Sequence, residues 1–291
     1  MSTGSTARRI IVGVDESDGA ADALRWAEQE AHFDGAALTA VMAWGWLEQH
    51  HLLDPSGWDP EYGKAEAHAA LGRYVEMALG ADALERFDLE VVANLPGAAL
   101  VEAARDAHLL VVGARGMGGF RGLLLGSVSQ QCLHHSTTPV AIVRDGPLDV
   151  DPRRVVAAVD GSPESIAAAR WAAAEAGRRS ARLDIVYAWQ MPYLGYSPLT
   201  APVFDVDLIE ADAKAVLDGV VAAIDTTGLE VNPILLRHAT VAGIVEVARG
   251  AAVLVTGSRG RGALQRTVLG SVATQVSYHA PCPLVVVPPA R

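Results

Sequence analysis

The chain carries one glycine frame twice, and that duplication limits its possible folds more than any other feature. Residues 113–128 read GARGMGGFRGLLLGSV and residues 257–272 read GSRGRGALQRTVLGSV. Both follow the spacing G-x2-G-x9-G-S, on Gly113, Gly116, Gly126 and Ser127 and again, 144 positions later, on Gly257, Gly260, Gly270 and Ser271. Further segments keep nearly the same shift. Ile10–Asp15 matches Val155–Asp160, Arg25-Trp26-Ala27 matches Arg170-Trp171-Ala172, and Ala43-Trp44 matches Ala188-Trp189, each 145 positions on. Val101-Glu102 and Val245-Glu246 lie 144 apart, so the second copy loses one residue in between. A repeat this long is a whole domain, so each copy must bury its own core. The expected domains are residues 1–146 and 147–291, joined at Arg144–Pro152 (RDGPLDVDP), a Pro/Gly/Asp seam expected to continue neither strand nor helix.

Within a copy, short apolar runs alternate with longer amphipathic ones. Residues 10–14, 37–43, 88–93, 109–112 and 140–143 read as strands. Residues 20–33, 62–80, 98–107 and 127–136 read as helices, with Asp15–Asp18 as turn and cap and Pro96-Gly97 as a break before the third helix. The second copy repeats the strands near 154–159, 183–188, 229–235, 252–256 and 284–287. Strands that are apolar throughout, alternating with helices, predict an α/β fold: an open parallel sheet with helices on both faces, once per copy. A hydrophobic content of 51% over 291 residues supplies two cores, and 20% charged residues argue against disorder.

In such sheets ligands bind beyond the carboxyl ends of the strands, where strand order reverses. Strand one runs into Asp15 and strand four into Gly113, so the acid and the glycine loop are expected to converge on one crevice. Glycines let backbone N–H groups approach an anion closely, and the helix opened by Gly126-Ser127-Val128 offers unpaired N–H groups and a positive dipole end. The Ser127 hydroxyl is expected both to cap that helix and to reach a phosphate oxygen. Around it lie Ala114, Arg115, Met117, Gly118, Gly119 and Arg121; the second copy offers Ser258, Arg259, Arg261, Gly262, Ala263 and Arg266 before Gly270-Ser271-Val272. The arginines supply charge for phosphate. A carboxylate beside the loop would repel the anion, so Asp15 is assigned to the ribose or adenine end and not to the loop. A plain helix cap is the other reading of Asp15; its recurrence at Asp160 favours the ligand role.

Other chemistry is thin. A P-loop needs a Gly-Lys dipeptide, which the chain lacks, and the Rossmann fingerprint needs its glycines directly after strand one, not strand four. No Cys-x2-Cys or His-x3-His spacing suggests zinc. His50-His51 reads as surface loop and His134-His135 as a helix end suited to the dipole. Ser127 and Ser271 have no evident His/Asp partner for nucleophilic catalysis. The repeated Trp26, Trp44, Trp171 and Trp189 read as core. A net charge of −11 gives no nucleic-acid or anionic-membrane footprint. The chain start lacks a signal-like apolar run, no stretch is long enough to span a bilayer, and Cys132 and Cys282 occupy non-matching positions. A reducing, cytoplasmic setting is expected.

With these residues assembled, the chain resembles the tandem-domain universal stress proteins of actinobacteria, in their ATP-binding subgroup. The resemblance rests on Asp15 and Asp160, the full glycine motif in both halves, the Arg-Trp-Ala helices, and the proline-led final strands Pro139–Val143 and Pro283–Val287, and it covers residues 8–288. It implies an adenine nucleotide alpha hydrolase-like sheet of order 3-2-1-4-5 in each domain, with ATP, with or without Mg2+, in each crevice. Carried over, the phosphate contacts would be the motif glycines with Ser127, Val128, Ser271 and Val272. Asp15 and Asp160 would meet ribose or adenine, with Ala43 and Ala188 on the adenine side. Gly13, replaced by Ala158 in the second copy, would make the sites unequal. Pairing of final strands would give a pseudo-dimer within the chain and a homodimer beyond it. The implied function is a nucleotide-dependent regulatory, stress-response module with little or no hydrolysis; the alternative is a slow ATPase or phosphotransferase.

Overall fold

The computed structural model describes residues 8–33, 35–44, 63–117, 124–144, 150–190, 205–238, 240–261 and 269–289. The chain divides into two compact units, Met1–Pro147 and Leu148–Arg291. In the first, the order is β1 (Arg9–Gly13), α1 (Asp18–His32), β2 (Ala37–Trp44), α2 (Lys64–Leu79), a 3-10 turn (Ala81–Glu85), β3 (Phe87–Ala93), α3 (Pro96–Ala103), β4 (Leu109–Gly113), α4 (Ser127–His135) and β5 (Val140–Val143). In the second it is β6 (Asp151–Ala158), α5 (Pro163–Arg179), β7 (Arg182–Trp189), α6 (Val206–Ala222), β8 (Val231–Arg237), α7 (Thr240–Val247), β9 (Ala251–Gly257), α8 (Ser271–His279) and β10 (Leu284–Val287). Each unit is a parallel five-stranded sheet with strand order β3-β2-β1-β4-β5 or, equivalently, β8-β7-β6-β9-β10. That is the expected 3-2-1-4-5 arrangement.

The central strands explain why the pattern folds this way. In β1, Ile11 and Val12 are fully buried, paired with Thr39 and Ala40 on one side and with Leu110 and Val111 on the other. A strand flanked on both sides and covered on both faces has no solvent side, hence its unbroken apolar run. Small residues on the helices, including Ala20, Ala23, Ala27 and Ala31 of α1, let the covering layer approach closely. Burying each large aliphatic side chain is worth roughly 1.5–3 kcal/mol. The prolines before β5 and β10 fit because their carbonyls, not their missing N–H groups, are used: Leu110 N donates to Pro139 O and Leu254 N to Pro283 O, both at 2.9 Å.

Two expectations need correction. The seam at Pro152 does not exclude a strand: β6 begins at Asp151, paired with Ala251, and register resumes at Val155 against Val253 after an irregularity. Pro152, lacking an N–H, falls inside that irregular stretch, where no ladder donor is required. Likewise Pro96 does not precede α3 but is its first residue, where a missing N–H costs nothing, and the helix closes at Ala103.

The units differ at the amino-terminal ends of their strands. Asp184, 1% exposed, accepts from Arg154 Nε at 2.8 Å and Asn232 Nδ2 at 3.0 Å, while Arg154 also donates to the carbonyls of Val247 and Arg249. At the matching place in the first unit stands the neutral Thr39. Cys132 in α4 and Cys282 ahead of β10 are both fully buried and in no disulfide, and burial pushes the Cys132 thiol up to about 12. No helix among the described residues is long and apolar enough to cross a membrane.

Removing one partner of a buried, hydrogen-bonded ion pair leaves the other charge stranded. Asp184→Ala is therefore expected to destabilise the second unit by about 3 kcal/mol. Asp218→Ala, which breaks an exposed pair with Lys214, should cost under about 0.5 kcal/mol. Urea denaturation of the two variants checks the contrast.

Candidate functional site

Each unit builds its crevice from the turn after its first strand and the loop after its fourth. In the first unit the chain leaves β1 through Val14 and Asp15, and Ser17 caps α1 by accepting from Ala20 N at 3.2 Å. Asp15 Oδ1 accepts from Ser17 Oγ at 2.5 Å and Ser17 N at 3.2 Å, while Oδ2 accepts from Met117 N at 3.0 Å. The second unit repeats this: Asp160 Oδ1 accepts from Ser162 Oγ (2.5 Å) and N (2.9 Å), and Oδ2 accepts from Arg261 N (2.7 Å). One carboxylate thus ties the helix cap to the glycine loop in both units. This corrects the expectation that Asp15 keeps apart from the loop. Repulsion of an anion is not the governing term here, because the loop presents N–H groups to the carboxylate itself.

The glycines also have reasons of their own. A Cβ on Gly116 would lie 2.1 Å from Asp15 Oδ2, and one on Gly260 would lie 2.3 Å from Asp160 Oδ2. A Cβ on Gly113 would strike the Gly19 backbone at 2.7 Å, and one on Gly257 that of Glu164 at 2.9 Å. The frame therefore lets the first helix and the carboxylate pack against the loop, a role not foreseen for it. Gly126 and Gly270 are the N-caps of α4 and α8, with no side-chain hydrogen bond to either helix start. Ser127 and Ser271 are first helical residues, not caps as expected, and both are exposed. Neither glycine cap offers a side chain to the first-turn N–H groups, an arrangement that suits an acceptor from outside the helix.

Of the other expected residues, Ala114, Arg115, Met117 and Val128 join this edge, as do Ser258, Arg259 and Val272. Ala43 is half-buried and Ala188 buried, each one residue before the end of its strand. Gly13 does not face the crevice loop: a Cβ there would meet Leu100 Cδ1 of α3 at 2.7 Å, so its exchange for Ala158 is a packing difference beneath the sheet. Gly118, Gly119, Arg121, Gly262, Ala263, Arg266, His50 and His51 lie outside the described residues. Trp26 and Trp189 are buried, with Arg237 stacked 5.6 Å above Trp189, whereas Trp44 and Trp171 are half-buried.

Sequence reasoning missed three contributors. Tyr74 of α2 donates through its hydroxyl to Ser17 O at 2.5 Å, and burial together with the nearby Asp15 charge holds its phenol above the ordinary value. Its place in the buried stripe Ala67, Leu71, Tyr74 and Val75 was the available signal. Ser129 Oγ donates to Gly113 O at 2.7 Å, pinning α4 to the end of β4. Ser165 Oγ accepts from Asp160 N at 3.3 Å. Burial would raise the Asp160 carboxyl, but donors from Ser162 and the Arg261 N–H outweigh it and hold the group below its ordinary value.

Comparisons with known proteins bear on the family and the fold. The model of the universal stress protein family matches residues 6–144 and 152–288. A universal stress protein of Mycobacterium tuberculosis strain H37Rv is 31% identical over 296 residues, with 98% of each chain covered. One of Mycobacterium bovis is 30% identical over 310 residues, covering 98% of this chain and 96% of the relative. Among solved structures, a universal stress protein from Archaeoglobus fulgidus superposes with a TM-score of 0.68 at 20% identity, covering 98% of this chain and all of that one.

If the carboxylate holds the loop, Gly116→Ala should cost about 2 kcal/mol by overpacking, and adding Asp15→Ala should cost less than the sum of the two single losses. Additive losses in denaturant melts would count against the clasp. Because the Asp160 value is depressed by folding, its contribution is complete above the ordinary aspartate range and is lost as pH falls through the lower folded value. Melts of the second unit across acid pH should show that decline, and Asp160→Asn should flatten it.

Proposed function

Since the chain belongs to the universal stress protein family, we propose that each unit binds one ATP and acts as a nucleotide-dependent regulatory, stress-response module with little or no hydrolysis. The observation that carries this reading is the same in both units: a helix start with no side-chain cap beside an acid-clasped glycine loop, at the carboxyl edge of a parallel sheet. The phosphates would be held by the N–H groups and hydroxyls at Ser127-Val128 and Ser271-Val272, with Arg115 and Arg259 supplying charge. Asp15 and Asp160 keep lone pairs for ribose or adenine donors, since each oxygen of a carboxylate accepts more than one bond. Mg2+ accompanying the nucleotide would take most of its ligands from phosphate and water.

The slow-ATPase alternative needs a positioned base or nucleophile. Asp15 and Asp160 hold the cap and the loop through charge-assisted hydrogen bonds, so taking up a proton as a base would remove the charge that strengthens those contacts. We extend the proposal to a homodimer, which sedimentation at several concentrations tests.

Acid extraction of the purified chain is expected to release close to two ATP per chain, and ATP added to the protein should stay largely intact over hours. Extracts without adenine nucleotide would refute the binding reading. ADP formed at enzyme-like rates, and lost in Ser127→Ala with Ser271→Ala, would favour the enzymatic one.

A further inference from the structure

The two crevices differ in charge at one spot. The residue after the strand-one aspartate is Glu16 in the first unit and Gly161 in the second, and both take left-handed backbone, at φ 62° and 78°. The residue that bonds that aspartate through its N–H is Met117 in the first unit, 67% exposed, and Arg261 in the second. The Arg261 guanidinium folds back over the turn: a Cβ on Gly161 would lie 2.6 Å from Nη2. The space a side chain would claim in one unit is held by a cation in the other. Among the described residues nearby, other charges do not offset the difference, because Arg115 matches Arg259 and each first helical turn carries one acid, Asp18 or Glu164. Over these residues the first unit sets three acids against one arginine, and the second sets two against two.

Building on the reading of these crevices as nucleotide sites, we propose that they select ligands by charge, the second unit binding polyanionic nucleotides the more tightly and Arg261 being its specificity-determining residue. Glu16 is its counterpart, disfavouring phosphate in the first unit. Left-handed backbone is strained for a residue with a side chain, and Glu16 nonetheless adopts it. A glycine at that position is what leaves room for the guanidinium in the second unit. A net difference of two charges at a crevice mouth acts strongly on a triphosphate and hardly at all on an uncharged nucleoside, and salt weakens it.

Calorimetric titration of the full chain with ATP and with adenosine tests this. Two ATP affinities at least about tenfold apart are expected, against adenosine affinities within about threefold, and the ATP gap should shrink in high salt. Arg261→Met should weaken the tighter ATP site about tenfold and shift adenosine less than twofold, while Arg261→Lys keeps most of the preference. Glu16→Gln, which leaves the backbone and the second unit untouched, should tighten the weaker ATP site. Equal ATP affinities in the parent chain, or equal losses for ATP and adenosine in Arg261→Met, would overturn charge selection alone. Binding of neither ligand would overturn it together with the nucleotide reading.

Discussion

A single carboxylate per unit, Asp15 or Asp160, connects the two segments that make the crevice. One oxygen holds the serine that caps the first helix; the other holds the loop leaving the fourth strand. Charge-assisted hydrogen bonds of this kind are worth roughly 1.5–3 kcal/mol each. Their geometry depends on the strand beneath. β1 and β6 sit at the middle of their sheets, so the aspartate leaves a rigid base, and the loop it grips is positioned relative to the whole core. With the loop held there, Gly126 or Gly270 turns the chain into α4 or α8 without offering a cap side chain to the helix start. The edge proposed to face phosphate is therefore a by-product of an internal tie.

The fold was legible because each of its signals is short-range. Apolar β-branched runs bounded by turns place strands to within one to three residues, since a doubly covered strand admits nothing else. The errors came from proline. Pro96 suggests a break because a missing N–H ends a helix interior, yet that same lack is harmless at the first helical position. Pro152 suggests a linker, though a local irregularity in the ladder accommodates it. The site was legible in membership more than in wiring. The frame glycines, Asp15 and Asp160 do meet, but sequence spacing cannot report that the Gly116 hydrogen faces a carboxylate, or that Gly113 clears the Gly19 backbone. Tyr74 stayed hidden because its hydroxyl partner, the Ser17 carbonyl, lies 57 residues away.

Duplication has left the scaffold alike and the details free to drift. Where one copy has Thr39, the other buries Asp184 in a ring of donors; where one has Gly13 under Leu100, the other fills the space with Ala158. These exchanges are internally compensated, since each sits against neighbours that suit it. Glu16 and Gly161 differ in kind, because the compensation there reaches the carboxyl edge of the sheet.

The buried cysteines give each unit its own clock. Cys132 and Cys282 occupy different places in their respective units, and both are sealed from solvent. Only a thiolate reacts readily, and a thiol pushed up to about 12 forms almost none of it while the fold is shut. Alkylation of Cys132 therefore waits on opening of the helix capped by Gly126, and its rate reports how often that helix opens. A nucleotide seated on that helix start would slow the clock of its own unit and leave the other running.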